Sequence, residues 1–116
     1  SVPPVEAVME ESINPMLQSL LEVIDKNYSD SQFSVERLAD LMCMTKITLY
    51  RRVKSLSGKT PVELLNDYRL NKAHQLLSTT NMPVADVAFN VGFTDPAYFT
   101  RRFHAAFHCS PSALRD

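Results

Sequence analysis

The second half of this chain repeats its first half. From Leu49 to Pro61 the sequence reads L-Y-R-R-V-K-S-L-S-G-K-T-P, and fifty residues later, from Phe99 to Pro111, it reads F-T-R-R-F-H-A-A-F-H-C-S-P. Each copy has an apolar start, an Arg-Arg pair and a hydroxyl residue before proline. A second match, at an offset of forty-nine, pairs Val35, Leu38 and Ala39 with Val84, Val87 and Ala88. The repeat predicts two similar small folding units, each with one basic helix.

The charge of the chain is divided between an acidic lead-in and the basic repeat. Residues 1–33 hold one base against six acids, for a net charge of −5, whereas residues 34–116 hold eleven bases against seven acids, for a net charge of +4. The total of −1 therefore hides local basic stripes. With 45% apolar residues and two glycines the composition favours a compact helical protein. No apolar run reaches about eighteen residues, so we expect no membrane contact by this segment.

Helix starts are marked by capping residues that precede proline. The side-chain oxygen accepts an otherwise unpaired backbone N–H, and proline needs no partner at the next position. Such pairs are Asn14-Pro15, Thr60-Pro61, Asp95-Pro96 and Ser110-Pro111, and Ser34, Thr45 and Pro83 mark three further starts. The predicted fold is all-α with seven helices, at 15–27, 35–42, 46–57, 61–78, 83–90, 96–107 and a short one after Pro111.

Two pairs of helices have the helix-turn-helix pattern of a short helix, a tight turn and a longer helix. The pairs are 35–42 with 46–57 and 83–90 with 96–107. Gly92 can supply the left-handed conformation that the second turn requires. The first turn has no glycine, so Cys43 or its neighbour must form it without one. We expect homeodomain-like units of this type at both ends of a long central helix.

The domain organisation follows from this central helix. We expect a linker or disordered tail at 1–14, or the end of an upstream helix, followed by a first helix-turn-helix subdomain at 15–60, the connecting helix at 61–78 and a second subdomain at 79–116. The connecting helix has a wide apolar arc that includes Val62 and is interrupted by Asn66 and Arg69, which suits packing on both flanks. Its narrow polar stripe consists of Glu63, Asp67, Asn71, His74 and Ser78.

The longer helix of each pair has a core stripe and an opposite face that contains no acid. Leu49, Val53 and Leu56 form the predicted stripe of the first, and Phe99, Phe103 and Phe107 that of the second. The outward residues are Lys46, Ile47, Tyr50, Arg51 and Lys54, and then Pro96, Ala97, Thr100, Arg101 and His104. One such face is more often merely solvated, but two at matching repeat positions favour binding to two successive DNA major grooves.

The chain resembles the DNA-binding domain of the AraC/XylS family of bacterial transcription regulators. The specific motif is G-F-x-D-x-x-Y-F from Gly92 to Phe99. The other matching residues are Leu38-Ala39, Thr45, Leu49, Arg51, Val53, Lys54, Gly58, Pro61, Arg69-Leu70, Ala73, Leu76-Leu77, Val87-Ala88, Arg101, Phe103 and Ser110-Pro111-Ser112. The chain departs from the family at His108, where glycine is usual, at Leu114, where an aromatic residue is usual, and at Val53, which replaces phenylalanine. His108 puts the closure of the second long helix in doubt.

The resemblance implies a cytoplasmic, sequence-specific DNA-binding domain that inserts two recognition helices, about 46–57 and 96–107, into adjacent major grooves of double-stranded DNA. The base-reading residues would be Lys46, Ile47, Tyr50, Arg51, Pro96, Ala97, Thr100 and Arg101. The residues expected to contact phosphate are Thr45, Arg52, Lys54, Lys59, Arg102 and His104. RNA polymerase is a further expected partner. The chain begins at Ser1 without methionine, so we expect a fragment. Its lead-in helix and spacing most resemble those of regulators in which this domain ends a hybrid two-component sensor-kinase chain, which implies missing upstream sensor or receiver domains tethered to a membrane.

Two other functions are weighed against DNA binding. His104, His108 and Cys109 superficially suit zinc, but no acid neighbours them in sequence, and neither a catalytic set nor a phosphate-binding glycine loop is present, so we expect no metal, no cofactor and no enzyme activity. Cys43 and Cys109 are far apart and are expected to be reduced thiols. A helical protein–protein interaction module that uses Met44, Ile47 and Tyr50 as a groove is the remaining alternative.

Overall fold

The computed structural model describes residues 14–115, so the linker or tail predicted at 1–14 lies, apart from Asn14, outside the described residues. Within this range the chain is all-α, and every predicted helix is present with its ends within one residue of the prediction. The helices are α1 (Pro15–Asn27), α2 (Val35–Leu41), α3 (Lys46–Ser57), α4 (Pro61–Thr79), α5 (Val84–Asn90), α6 (Pro96–Phe107) and α7 (Pro111–Arg115).

Side-chain caps explain why the helix starts could be predicted. Asn14, Ser34, Thr45, Thr60, Asp95 and Ser110 each accept a backbone N–H from the first turn of the helix that follows. Thr60 and Glu63 complete a reciprocal capping box at α4. Pro83 has no side-chain acceptor and keeps an extended backbone, so α5 begins one residue later than predicted, at Val84.

The two helix-turn-helix turns are closed by the same hydrogen bonds. The N–H of Met44 donates to the carbonyl of Ala39 over 2.9 Å, and the N–H of Phe93 donates to that of Ala88 over 3.0 Å. The left-handed residue of the second turn is Gly92, with φ 99°, as predicted. In the first turn Cys43 takes this conformation, with φ 57°, although it carries a side chain.

The two longer helices of the helix-turn-helix pairs, α3 and α6, also end alike. Gly58 closes α3 with φ 76°, and His108 closes α6 with φ 62°. Each donates its N–H to the carbonyl four residues earlier, Lys54 in α3 and His104 in α6. The departure at His108 therefore leaves the shape of the helix end intact, and a histidine adopts a left-handed backbone that glycine adopts with less strain.

Each unit has its own hydrophobic core, and α4 contributes to both. The first core consists of Leu20, Ile24, Phe33, Leu38, Ala39, Leu49, Val53 and Leu65. The second core consists of Leu70, Ala73, Leu77, Val87, Ala88, Val91, Phe93, Phe99 and Phe103. Leu65 and Leu70 lie on one helix five residues apart, so α4 passes from the first core to the second within little more than one turn.

Five residues are packed differently from the prediction. Leu56 on α3 is 40% exposed and Val62 on α4 is 50% exposed, because neither hydrophobic core extends to these two side chains. Asn66 and Arg69, predicted only to interrupt the apolar arc of α4, are buried at 8% exposure. His74 is not a fully solvated stripe residue, because its ring packs against Phe107, with 4.6 Å between the ring centroids.

The short α7 closes the second unit through Arg115. Its guanidinium donates to the carbonyls of Leu77, Thr80 and Met82, which end α4 and lead into α5. Pro111 is buried and Leu114 packs against the second core. These contacts satisfy backbone carbonyls that the end of α4 leaves without helical partners.

Two phenylalanines of the second unit provide a matched stability test. Phe103 is fully buried and its ring packs at a tilt against those of Phe99 and Phe107, whereas Phe89 on α5 is 70% exposed. We expect Phe103→Ala to lower the free energy of unfolding by ~3–5 kcal/mol. Phe89→Ala should change it by less than about 0.5 kcal/mol. Urea unfolding followed by circular dichroism measures both, and equal losses would show that the second core is misplaced.

Candidate nucleic-acid interface

The first candidate surface is the exposed side of α3, here called the α3 face, with Lys46, Ile47, Tyr50 and Arg51. Because Leu49 and Val53 are fully buried, the helical period turns these four side chains outward. They border one shallow depression, and Ile47 is 69% exposed. An exposed branched apolar side chain between two cations can contact a thymine methyl group while its neighbours bond base edges or phosphates.

The α3 face is less free of acid than its own sequence predicts. Glu36 at the start of α2 accepts a hydrogen bond from Lys46 Nζ over 2.9 Å. This bond, with hydrogen bonds from the Glu36 backbone and Ser34, lowers the pKa of the Glu36 carboxyl to about 2. The carboxylate is therefore ionised throughout the neutral range, and its ion pair would be lost only as the pH falls towards that value. The prediction considered α3 alone and missed an acid that folding brings from α2.

The lysines and the threonine predicted to contact phosphate already have partners at the ends of α3. Thr45 caps the helix by accepting the N–H of Thr48, and Lys54 Nζ donates to the carbonyl of Gly58 over 3.0 Å. Lys59 pairs with Asp67, and this contact raises the pKa of Lys59. All three residues are exposed.

The second candidate surface is the exposed side of α6, here called the α6 face, with Pro96, Ala97, Thr100 and Arg101. All four are exposed because Phe99 and Phe103 occupy the core side of the helix. Asp95 is bound to the N–H of Ala97 and caps the helix. Small side chains in the first turn let the helix backbone approach a groove closely, and Arg101 is the long side chain of this face.

The flanking residues of the two faces differ. Arg52 and His104 are exposed, whereas Arg102 is half-buried. The Nε of Arg102 is buried and has no hydrogen-bond partner among residues 14–115. Arg52 and Arg102 occupy the same position in the repeat, fifty residues apart, but only Arg52 is fully free to reach a ligand in this structure.

Sequence reasoning missed the polar contacts through which α4 binds each of the two units. Asn66 Nδ2 on α4 donates to the hydroxyl of Tyr98 on α6 over 2.9 Å. Arg69 donates to three backbone carbonyls of the loop between α1 and α2, and burial lowers the pKa of its guanidinium. The hydroxyl of Tyr98 and the loop carbonyls give no periodic signal, so only tertiary structure reveals these partners.

The features that suggested other functions lie away from a common site. Met44 packs against the first core, so it does not extend the exposed pair Ile47 and Tyr50 into a longer apolar groove. Cys43 and Cys109 are free thiols. No three potential metal ligands of the His, Cys, Asp or Glu type come together within residues 14–115. Among the helices of that range, none combines the length and apolar character needed to cross a membrane.

The size of the molecule suits two neighbouring grooves. The nineteen residues of α4 span ~28 Å, less than the ~34 Å between successive major grooves on one side of a duplex. The molecule itself extends 43 Å along its longest axis. The units at the two ends of α4 therefore supply the length that the helix lacks.

Comparison with known proteins identifies relatives of this fold. A family model described as a helix-turn-helix domain matches residues 38–116. The chain is 34% identical over 113 residues to the arabinose operon regulatory protein of Salmonella typhimurium strain LT2, covering 94% of this chain and 40% of that protein. It is 27% identical over 115 residues to Histidine kinase P4 of Formosa agariphila, covering 99% of this chain and 8% of the kinase. The chain thus spans less than half the length of either relative.

A solved structure connects the fold with DNA. The DNA-binding domain of AdpA, a global transcriptional factor, was determined in complex with a target DNA. It is 31% identical to this chain, with a TM-score of 0.80 over 89% of this chain and 91% of that one. Taken with the duplicated helix-turn-helix units and the matching family model, this similarity shows that the chain belongs to the helix-turn-helix family as an AraC-type DNA-binding domain of transcription regulators, and not to an enzyme family.

Proposed function

We propose that the domain binds a DNA duplex with α3 and α6 in two successive major grooves on one side. The observation that carries this proposal is the pair of exposed basic faces at matching positions of a duplicated unit. Each face is turned outward by a fully buried stripe, Leu49 and Val53 in α3 and Phe99 and Phe103 in α6. The similarity to a domain solved with its target DNA supports the same use of these helices.

Base reading is assigned to the two faces and phosphate contact to their edges. Arg51 and Arg101 can each bond the O6 and N7 atoms of a guanine, while Ile47 and Tyr50 offer apolar contact to thymine methyl groups. Pro96, Ala97 and Thr100 make few hydrogen bonds, so the second half-site relies on Arg101 and on the shape of the DNA. Lys46 completes the reading set of the α3 face. The phosphate contacts are Thr45, Arg52, Lys54, Lys59, Arg102 and His104.

In the whole protein the domain is cytoplasmic and binds DNA under the control of an upstream sensor or receiver domain. This is supported by the similarity to Histidine kinase P4, in which the matched region is only 8% of the protein, so that other domains make up most of its length. A hybrid protein of this kind carries a membrane-tethered sensor and a DNA-binding domain in one chain. RNA polymerase is the partner through which the bound domain activates or represses transcription.

The first prediction concerns the two reader arginines. Because Arg51 and Arg101 are exposed at the same repeat position, Arg51→Ala and Arg101→Ala should each weaken binding to the cognate duplex by ~1–3 kcal/mol and relax base preference in one half-site only. Binding to a panel of single-base substitutions measures this. Unchanged base preference in both variants would refute the reading roles.

A second prediction separates phosphate contact from reading. Arg52→Ala should weaken binding to cognate and unrelated duplexes by the same factor, since a phosphate contact is independent of sequence. It should also reduce the slope of log affinity against log salt by about one unit. Titrations at several salt concentrations test this, with Arg51→Ala as the matched comparison. If the affinity of the wild-type chain for duplex DNA does not fall as the salt concentration rises, it makes no phosphate contacts, and the protein–protein interaction module is then the better account of the exposed residues.

A third prediction uses the ion pair on the α3 face. Glu36→Gln removes a carboxylate next to Lys46 without changing the size of the side chain, so it should tighten binding to all duplexes and make the salt slope steeper. Asp40→Asn on the same helix is the control, because Asp40 is exposed and forms no salt bridge with any residue of the described range. Equal effects of the two variants would mean that only net charge matters.

A further inference from the structure

The two units contact each other where α4 passes from the first core to the second. This stretch lies between Leu65, which belongs to the first core, and Leu70, which belongs to the second. It carries two buried polar side chains, Asn66 and Arg69, each 8% exposed. Burying polar groups is unfavourable unless they are hydrogen-bonded, so their partners indicate why they are there.

Arg69 binds the first unit through backbone carbonyls. Its Nε donates to the carbonyl of Tyr28 over 2.9 Å, and its Nη2 donates to those of Asp30 and Phe33 over 3.1 Å each. These residues form the loop between α1 and α2. Within residues 14–115 the guanidinium forms no salt bridge with a carboxylate. Arg69 therefore fastens this loop to α4 with directional hydrogen bonds rather than a simple ion pair.

Gly92 of the second unit packs directly against this arrangement. A Cβ atom at Gly92 would lie 2.2 Å from the carbonyl oxygen of Tyr28 and 2.7 Å from Nε of Arg69. Both distances are far below van der Waals contact, so the turn before α6 has no space for any side chain. Gly58, which closes α3, also has positive φ, but a Cβ there would meet nothing within 4 Å. The glycine at 92 is thus required by the contact between units as well as by its own backbone.

The second buried polar side chain of this stretch of α4 binds the second unit. Asn66 Nδ2 donates to the hydroxyl of Tyr98 over 2.9 Å. The ring of Tyr98 packs against Phe93, with 6.2 Å between centroids, so the hydroxyl is held by the second unit. Tyr98 lies in the first turn of α6, within the helix that carries the α6 face.

We propose that Arg69, Gly92 and the Asn66–Tyr98 hydrogen bond form an inter-unit joint that sets the position of α6 relative to α3 and so selects the spacing of the two DNA half-sites. The proposal rests on the two-groove function. Once α3 is bound to its half-site, a rigid joint holds α6 beside the major groove at one distance along the duplex. The effective concentration of α6 is therefore high at that distance and low at any other. A loosened joint spreads α6 over several positions, which lowers affinity at the preferred spacing and reduces discrimination against other spacings.

The test measures spacing preference, which a purely stabilising role would not change. The 116-residue chain first selects a duplex from a random pool. Affinity is then measured for this duplex, for versions with one base pair added or removed between the half-motifs, and for a version with the second half-motif scrambled.

Asn66→Ala is compared with Asn71→Ala, an exposed asparagine on the same helix. Gly92→Ala is compared with Gly58→Ala, which also places a side chain at positive φ but makes no contact within 4 Å. Thermal unfolding of each variant is recorded in parallel.

We expect Asn66→Ala to lose about threefold to tenfold affinity for the selected duplex, the effect of one hydrogen bond. It should bind the altered spacings and the scrambled duplex as the wild type does, so its spacing preference shrinks by the same factor. Gly92→Ala should show a larger effect than Gly58→Ala, and Asn66→Ala carries the test alone if Gly92→Ala does not fold.

Two results would contradict the proposal that the joint selects half-site spacing. If Asn66→Ala retains the wild-type spacing preference, or loses affinity equally for every duplex, the contact only stabilises the fold while the two-groove function stands. If the wild type binds the scrambled duplex as tightly as the selected one, the two-groove function itself fails and the joint fails with it.

Discussion

One helix that is shared by two hydrophobic cores is the constraint on which this domain depends. Leu65 completes the first core and Leu70, Ala73 and Leu77 build the second, all from α4. Neither unit can move far along or around this helix without exposing its own apolar side chains to water. The positions of α3 and α6, each packed onto one of these cores, are therefore linked through α4, and a duplicated binding unit becomes a pair with a defined separation.

Each unit also uses an arginine to satisfy carbonyls that no helix pairs. Arg69 binds three carbonyls in the loop before α2, and Arg115 binds three between the end of α4 and the start of α5. Both arginines come from the helix that follows a recognition helix, although they stand at different distances from its proline. In both units the backbone carbonyls next to a short helix lack helical partners, and in both an arginine guanidinium donates hydrogen bonds to them.

The sequence predicted the helices well because their signals are local. A capping oxygen, a following proline and an apolar period act within a few residues, so Thr60 and Asp95 could be recognised without knowledge of the fold. The outward faces followed from the same period. Features that depend on distant partners could not be predicted in this way. Glu36 reaches Lys46 only after α2 and α3 are packed, and Arg69 is buried because the α1–α2 loop and Gly92 pack against it. Leu56 has an ideal core spacing, yet no neighbouring element covers it.

The most direct test of two-groove binding is selection of bound sequences from a random duplex pool by the 116-residue chain. If α3 and α6 occupy successive major grooves, the enriched duplexes will contain two different half-motifs whose centres lie about one helical turn apart, ~10 base pairs. A pool that remains unenriched, or that yields a single half-motif with random sequence on both sides, would contradict this arrangement.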